Sequence, residues 1–437
     1  MAYPVVKYNS STGSNTAPSD AVAISASGES FNYINAVSAS NTLTFDSAVD
    51  LTGVADDDSD YVWVNASSGR RHLYQITACN PSVGACTSLT VAEAVPATIT
   101  DSIWHINGSR LSLESDSSNE DYQDWESGWV IEFEAGTYTL ADSFDVGQNS
   151  AAAPGDRIRI QAASGAVSRP IIQQTSGNRY PFRPFLPVEV SGMKFTTTVT
   201  ANAYGVAISF GPVVFDDCVF DLAGSGAAYC LQANGASCVI VNCYITGGDI
   251  GLQLTGSRDG CSVQNCVFDG KGTEFLTAAI QIGGKEHGIN IDSCLVLDSD
   301  GDGIRIVSLA LNDTMVSVTN CTIVDCDGDG IVYDDTGAGG AVGNSLSIRN
   351  NLIAYNGLYG LLHDGPDDTN HILQGNAVYS NTSGNYSGFF IAGDGAVTLT
   401  ADPFTNRASD DYTLNNTAGG GALLREAAYP ATLPDGT

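Results

Sequence analysis

From residue 213 to residue 380 the pattern of apolar and polar positions repeats in register seven times. The frames are Asp217-Cys218-Val219-Phe220, Asn242-Cys243-Tyr244-Ile245, Asn265-Cys266-Val267-Phe268, Ser293-Cys294-Leu295-Val296, Asn320-Cys321-Thr322-Ile323, Asn350-Asn351-Leu352-Ile353 and Gly375-Asn376-Ala377-Val378. Counted from the second residue of each frame, the steps are 25, 23, 28, 27, 30 and 25. A period in the twenties, rich in β-branched residues and glycine and without helical spacing, predicts a β-solenoid.

Parity gives the shape of one coil. In Cys238-Val239-Ile240-Val241-Asn242-Cys243-Tyr244-Ile245 the inward candidates are Cys238 and Ile240, then Cys243 and Ile245. A strand turns every second residue to one face, so the step from 240 to 243 demands a bend at Val241-Asn242. Asn and Asp tolerate the left-handed region there better than other residues with a Cβ, so the frame asparagines read as a turn ladder. A third strand closes each coil, as in Ala279-Ile280-Gln281-Ile282, Gly303-Ile304-Arg305-Ile306 and Gly330-Ile331-Val332-Tyr333. Extended from residue 129 to about 395, the pattern predicts an all-β parallel solenoid of about ten coils.

Upstream, alternating segments such as Thr42-Leu43-Thr44-Phe45, Tyr61-Val62-Trp63-Val64 and Ser88-Leu89-Thr90-Val91 predict a small antiparallel β domain. The expected division is residues 1–112 for attachment or capping, 113–400 for the solenoid and 401–437 for a C-terminal cap or tail. The two terminal pieces are expected to cover the strand edges that a solenoid exposes at its ends.

A formal net charge of -32 argues against nucleic acid and anionic membranes as partners. No apolar run approaches the ~20 residues that span a bilayer, and no secretory leader is visible at the N-terminus. Eleven is an odd number of cysteines, so at least one is unpaired. Cys218, Cys243, Cys266, Cys294 and Cys321 share one frame position and predict an interior column of free thiols. Cys79 and Cys86 bracket a turn and are the best disulfide candidate in an oxidising compartment.

Candidate chemistry is sparse. Asp298-Ser299-Asp300-Gly301-Asp302-Gly303 and Asp325-Cys326-Asp327-Gly328-Asp329-Gly330 lie 27 residues apart, so register stacks Asp298 on Asp325, Asp300 on Asp327 and Asp302 on Asp329. Like charges one rung apart repel, and six such carboxylates could recruit Ca²⁺; plain solvated turns explain the same residues. No cofactor is otherwise required. Leu309 stands where an EF-hand needs a bidentate Glu. A basic cluster, Lys271 and Lys285 with Glu274, Glu286 and His287, suggests acid–base chemistry or a merely charged surface. Arg179, Tyr180, Phe182 and Arg183 form an aromatic, basic loop able to hold sugar rings or a neighbouring subunit. His363 and His371, with the aspartates between them, could face a metal or form a polar loop. No catalytic set is assigned.

Trp129-Val130-Ile131-Glu132-Phe133-Glu134-Ala135-Gly136-Thr137-Tyr138-Thr139-Leu140 resembles the first coil of the pectate-lyase-like superfamily of right-handed, single-stranded parallel β-helices. Asp402-Pro403-Phe404 with Asp411-Tyr412-Thr413-Leu414, and Trp104-His105-Ile106-Asn107-Gly108, resemble segments of phage-type β-helix virion proteins. The polygalacturonase set is absent beyond Asp334-Asp335. The virion resemblance implies a structural or adhesion protein: a tail spike, fibre or capsid-surface projection, located on the virion. It would bind other virion proteins through its N-terminal domain and a host surface polysaccharide through its body, as a homotrimer. A polysaccharide lyase or glycoside hydrolase on the same scaffold is the alternative, because this fold hosts many activities.

Overall fold

The computed structural model describes residues 5–8, most of 34–106 and most of 130–427. The chain divides into two compact units, residues 1–176 with 183–194 and residues 177–182 with 195–437.

The first unit holds a seven-stranded antiparallel sheet. It includes Thr42–Val49, Tyr61–Asn65, Arg71–Asn80 and Cys86–Val91, four of the segments alternation had marked. Leu43, Val62, Ile76 and Leu89 fill its core. No disulfide joins Cys79 to Cys86; Cys86 is buried and donates its thiol to the Ser88 carbonyl at 3.2 Å. The expected disulfide is therefore not formed: the two side chains serve a packed sheet, with Cys79 against its core. The unit also carries three rungs of parallel strand, Val130–Phe133, Ile158–Ala162 and Val188–Ser191. The outer edge of the first rung is taken by Val5–Tyr8, which pairs with Val130–Phe133 in parallel register.

The second unit is a right-handed parallel solenoid. Its first-sheet strands run from Val213–Asp216 through Cys238–Val241 to Asn370–Gln374, seven rungs in order. These seven rungs fall short of the about ten coils that the repeat predicts, because the three parallel rungs before them belong to the first unit. All seven frame corners have left-handed backbone, with φ between 52° and 66° at Asp217, Asn242, Asn265, Ser293, Asn320, Asn350 and Gly375. The five frame cysteines are buried, as parity requires, and none is in a disulfide. Burial pushes the thiols of Cys243 and Cys294 well above their ordinary range.

Two of the frames replace cysteine by asparagine, and the column becomes a hydrogen-bonded ladder. Asn351 donates to the Val318 carbonyl and to Asn376 Oδ1, both at 3.0 Å, and accepts the Cys321 N–H at 2.8 Å. Asn356 and Asn381 repeat the device five residues later, below Cys326. Buried amides are tolerated here because each finds partners on the rung above or below.

The C-terminal segment, expected as a cap or tail, reaches the last rung and then continues along the solenoid's flank. Residues 394 and 397 bridge to Gln374 and Ala377 at the last rung. The chain then doubles back along the flank. Phe404, Tyr412 and Leu424 pack on Leu297, Val324, Leu352 and Ala377, the outer face of the second sheet across four successive rungs. A hairpin, Phe404–Asn406 with Asp411–Leu414, and one short helix, Gly421–Ala427, form this strap. It covers a side of the solenoid, because the apolar surface that needs burial lies there.

Candidate active site

Each acidic corner follows a second-sheet strand, Leu295–Leu297 and Thr322–Val324, and precedes a third-sheet strand, Asp302–Val307 and Ile331–Asp334. Asp298 and Asp325 sit at left-handed φ of 53° and 57°. Tyr355 and Ser380 continue the same corner on the next two rungs, at 62° and 55°. The following residues, Ser299, Cys326, Asn356 and Asn381, turn inward and are buried. Where the third strands begin, Gly303 and Gly330 stand because no Cβ fits: at Gly303 it would lie 2.6 Å from the Gly330 carbonyl oxygen, and at Gly330 equally close to that of Gly360.

Register stacks the six aspartates in the three predicted pairs, and the pairs differ in surroundings. Asp302 and Asp329 are buried structural acceptors. Asp302 Oδ1 takes the Asp329 N–H at 2.9 Å, and Asp329 Oδ1 takes the Tyr359 N–H at 2.7 Å. Burial raises Asp329 above the ordinary carboxylate range. Asp302 also faces Arg305, whose guanidinium reaches Asp302 Oδ2 at 3.0 Å and Asp334 Oδ2 at 2.5 Å. Asp300 and Asp327 are exposed. Asp298 and Asp325 are half-buried beneath the strap.

This last pair is unequal. Arg407, from the strap, pairs with Asp325 Oδ1, and the Tyr412 hydroxyl donates to Asp325 Oδ2 at 3.1 Å. Burial, then the charges of Asp325, Asp410 and Asp269, push Asp298 up to about 6, with Arg407 opposing. Burial also raises Asp325, against Arg407 and Tyr412. Asp298, Asp300, Asp325 and Asp327 line a cleft of about 430 Å³ with Gly272, Tyr355, Gly357 and Thr382. Its walls come from five consecutive rungs, and rungs are ~4.8 Å apart, so the cleft extends along the solenoid by roughly 20 Å. Among the described residues no three His, Cys, Asp or Glu side chains could hold a metal ion together. The six carboxylates are split among three environments and do not gather round one point.

The other expected sites fare differently. Phe182 is wholly buried against Phe195 and Phe215, 5.2 and 6.2 Å away between ring centroids, so it is a core residue and cannot contact a ligand. Arg183 stacks on Phe185 at 4.8 Å, Tyr180 is half-buried, and Arg179 lies outside the described residues. Lys285, Glu286 and His287 also lie outside them; Gly272, beside Lys271, borders the cleft. His363 is buried among Tyr333, His371, Phe389 and Phe390, an aromatic cluster, with ring centroids 5.1–6.0 Å away. Sequence reasoning missed Arg407 and Tyr412, whose only signal was an arginine and a tyrosine in a segment read as a cap.

Residues 198–377 match the family model for the right-handed β-helix region. No curated protein sequence matches the chain. Among solved structures, the pectate lyase Pel9A aligns with a TM-score of 0.50 at 16% identity, over 74% of this chain and 86% of its own. The catalytic unit of an alpha-1,3-glucanase from Streptomyces thermodiastaticus aligns at 0.38 and 13%, over 89% and 92%. The A-module of a mannuronan C-5 epimerase from Azotobacter vinelandii aligns at 0.33 and 14%, over 61% and 90%. All three names are those of carbohydrate-active enzymes, and at these identities the likeness is one of fold.

Proposed function

We propose that the chain hydrolyses a neutral polysaccharide in the cleft at its acidic corners. The observation that carries this reading is the stacked, unequal pair Asp298 and Asp325 lining a long cleft. Glycoside hydrolysis needs two carboxyl groups with separated proton affinities, one to protonate the leaving oxygen and one ionised. Asp298, raised to about 6, is the acid in this proposal, and Asp325 beside Arg407 is the ionised partner. Asp300 and Asp327 are exposed at the same cleft and would accept hydrogen bonds from sugar hydroxyls. A neutral substrate is favoured because four aspartates line the cleft, which would repel a uronate chain. The likeness to the pectate lyase lends the scaffold alone.

The test is incubation with a panel of neutral and anionic polysaccharides, following new reducing ends and the absorbance of unsaturated uronic products. New reducing ends from a neutral member are expected, with Asp298→Asn at least ~100-fold slower. Unsaturated products, or reducing ends undiminished in Asp298→Asn, would overturn the assignment. Retention of a bacterial surface polysaccharide without any turnover would instead support the virion adhesion reading. The attachment partners, homotrimer and virion location belong to that second proposal.

A further inference from the structure

The C-terminal strap does more than cover apolar surface. Two of its polar side chains bond to the acidic corners: Arg407 pairs with one oxygen of Asp325 and Tyr412 donates to the other. Arg407 is itself held flat, its guanidinium carbon 3.9 Å from the centre of the Tyr355 ring, and Tyr355 lines the cleft. Phe404 packs against both Tyr355 and Tyr412, at centroid distances of 6.3 and 5.4 Å. The strap, the corner and the cleft wall are thus one packed assembly.

We infer that Arg407 and Tyr412 are positioning residues, which clamp both oxygens of Asp325 and so make the two stacked carboxyls of the cleft inequivalent. The inference rests on the cleft being the working site. Parallel stacking by itself gives two aspartates on adjacent rungs the same local geometry. The difference between them comes from what the strap delivers. Asp298 faces Asp325, Asp410, Asp269 and, at longer range, Arg407. Asp325 faces Arg407 and Tyr412 directly, with Asp410 near. Without the guanidinium, Asp325 keeps its burial and its acidic neighbours and loses the charge that favours its ionised form.

The experiment is a carboxyl ¹³C NMR titration of the full-length protein labelled at aspartate, with Asp298→Asn and Asp325→Asn used for assignment. In Arg407→Gln the Asp325 midpoint should rise by at least about one pH unit. Arg407→Lys should restore most of the difference, and Tyr412→Phe, which keeps the packing, should give a smaller rise. Arg425→Gln is the control for loosening of the strap, because Arg425 bonds only to the strap's own Leu414, Asn415 and Asn416 among the described residues. It should lower the melting temperature and leave the Asp325 midpoint in place. In the pH profile of turnover, Arg407→Gln should move the acid limb upward and narrow the bell from that side. An Asp325 midpoint unchanged in Arg407→Gln, or moved as far by Arg425→Gln, would overturn the clamp. A wild-type protein that turns over no polysaccharide would sink the hydrolase reading, while the titration would still decide the clamp.

Discussion

Asp298 gives the stability of this protein a pH dependence whose direction follows from its neighbours. Its carboxyl moves from an ordinary 3.8 to about 6 in the fold, so between those values the folded chain binds more protons than the unfolded one. Stability from this group is therefore complete below about pH 4 and is lost as pH rises towards 6. Asp298→Asn should flatten that portion of the melting curve against pH and raise the midpoint at pH 7 by about 1–3 °C. Calorimetry from pH 4 to pH 7 checks it, and an unchanged slope in the variant would refute the assignment. Asn351 makes the opposite kind of contribution. Replaced by alanine, it leaves the Cys321 N–H without its acceptor and removes the donors to the Val318 carbonyl and Asn376 Oδ1, which should cost roughly 3 kcal/mol in urea unfolding. Asn351→Cys, copying the residue of the preceding frames, should fill more of the space than alanine and cost less; equal losses would show that the amide's bonds matter more than its volume.

Among the elements, the corners and inward columns were legible in the sequence, because period-two alternation and the left-handed tolerance of Asn and Asp leave few other solutions. The strap's position was not, although its trace was present. Early second strands keep a polar third residue, as in Val219-Phe220-Asp221 and Val267-Phe268-Asp269. Later ones place an apolar residue there, Leu295-Val296-Leu297 and Thr322-Ile323-Val324, and apolar residues on both faces of a strand mean burial on both. What lay on the outer face could not be named, since Phe404, Tyr412 and Leu424 follow no repeat. The cleft was legible as a ladder of acids, and its inequality was invisible without Arg407. Phe404→Ala should cost about 3–5 kcal/mol locally and release the strap before the coils unfold. Limited proteolysis should then cut first near residues 400–410, leaving the solenoid intact; simultaneous cleavage throughout would contradict a separable strap.

At the scale of the whole molecule, a formal net charge of -32 makes self-repulsion a standing cost of compactness. Raising NaCl from about 0.05 M to about 0.5 M shortens the screening length from roughly 14 to 4 Å. The melting temperature should rise by a few degrees, and a fall would mean that ion pairs such as Arg407–Asp325 outweigh the repulsion.

The edge strand Val5–Tyr8 belongs to a different clock from the coils. Every other rung pairs with chain made only a few dozen residues away, so coils can be added as they emerge. Val5–Tyr8 has its partner at Val130–Phe133, more than a hundred residues downstream. Closing that span costs only ~1 kcal/mol more chain entropy than closing a single coil, yet nothing can close until the partner has been synthesised. This strand must therefore wait for its place during synthesis, and the open edge of the first rung is shielded only once it returns to it.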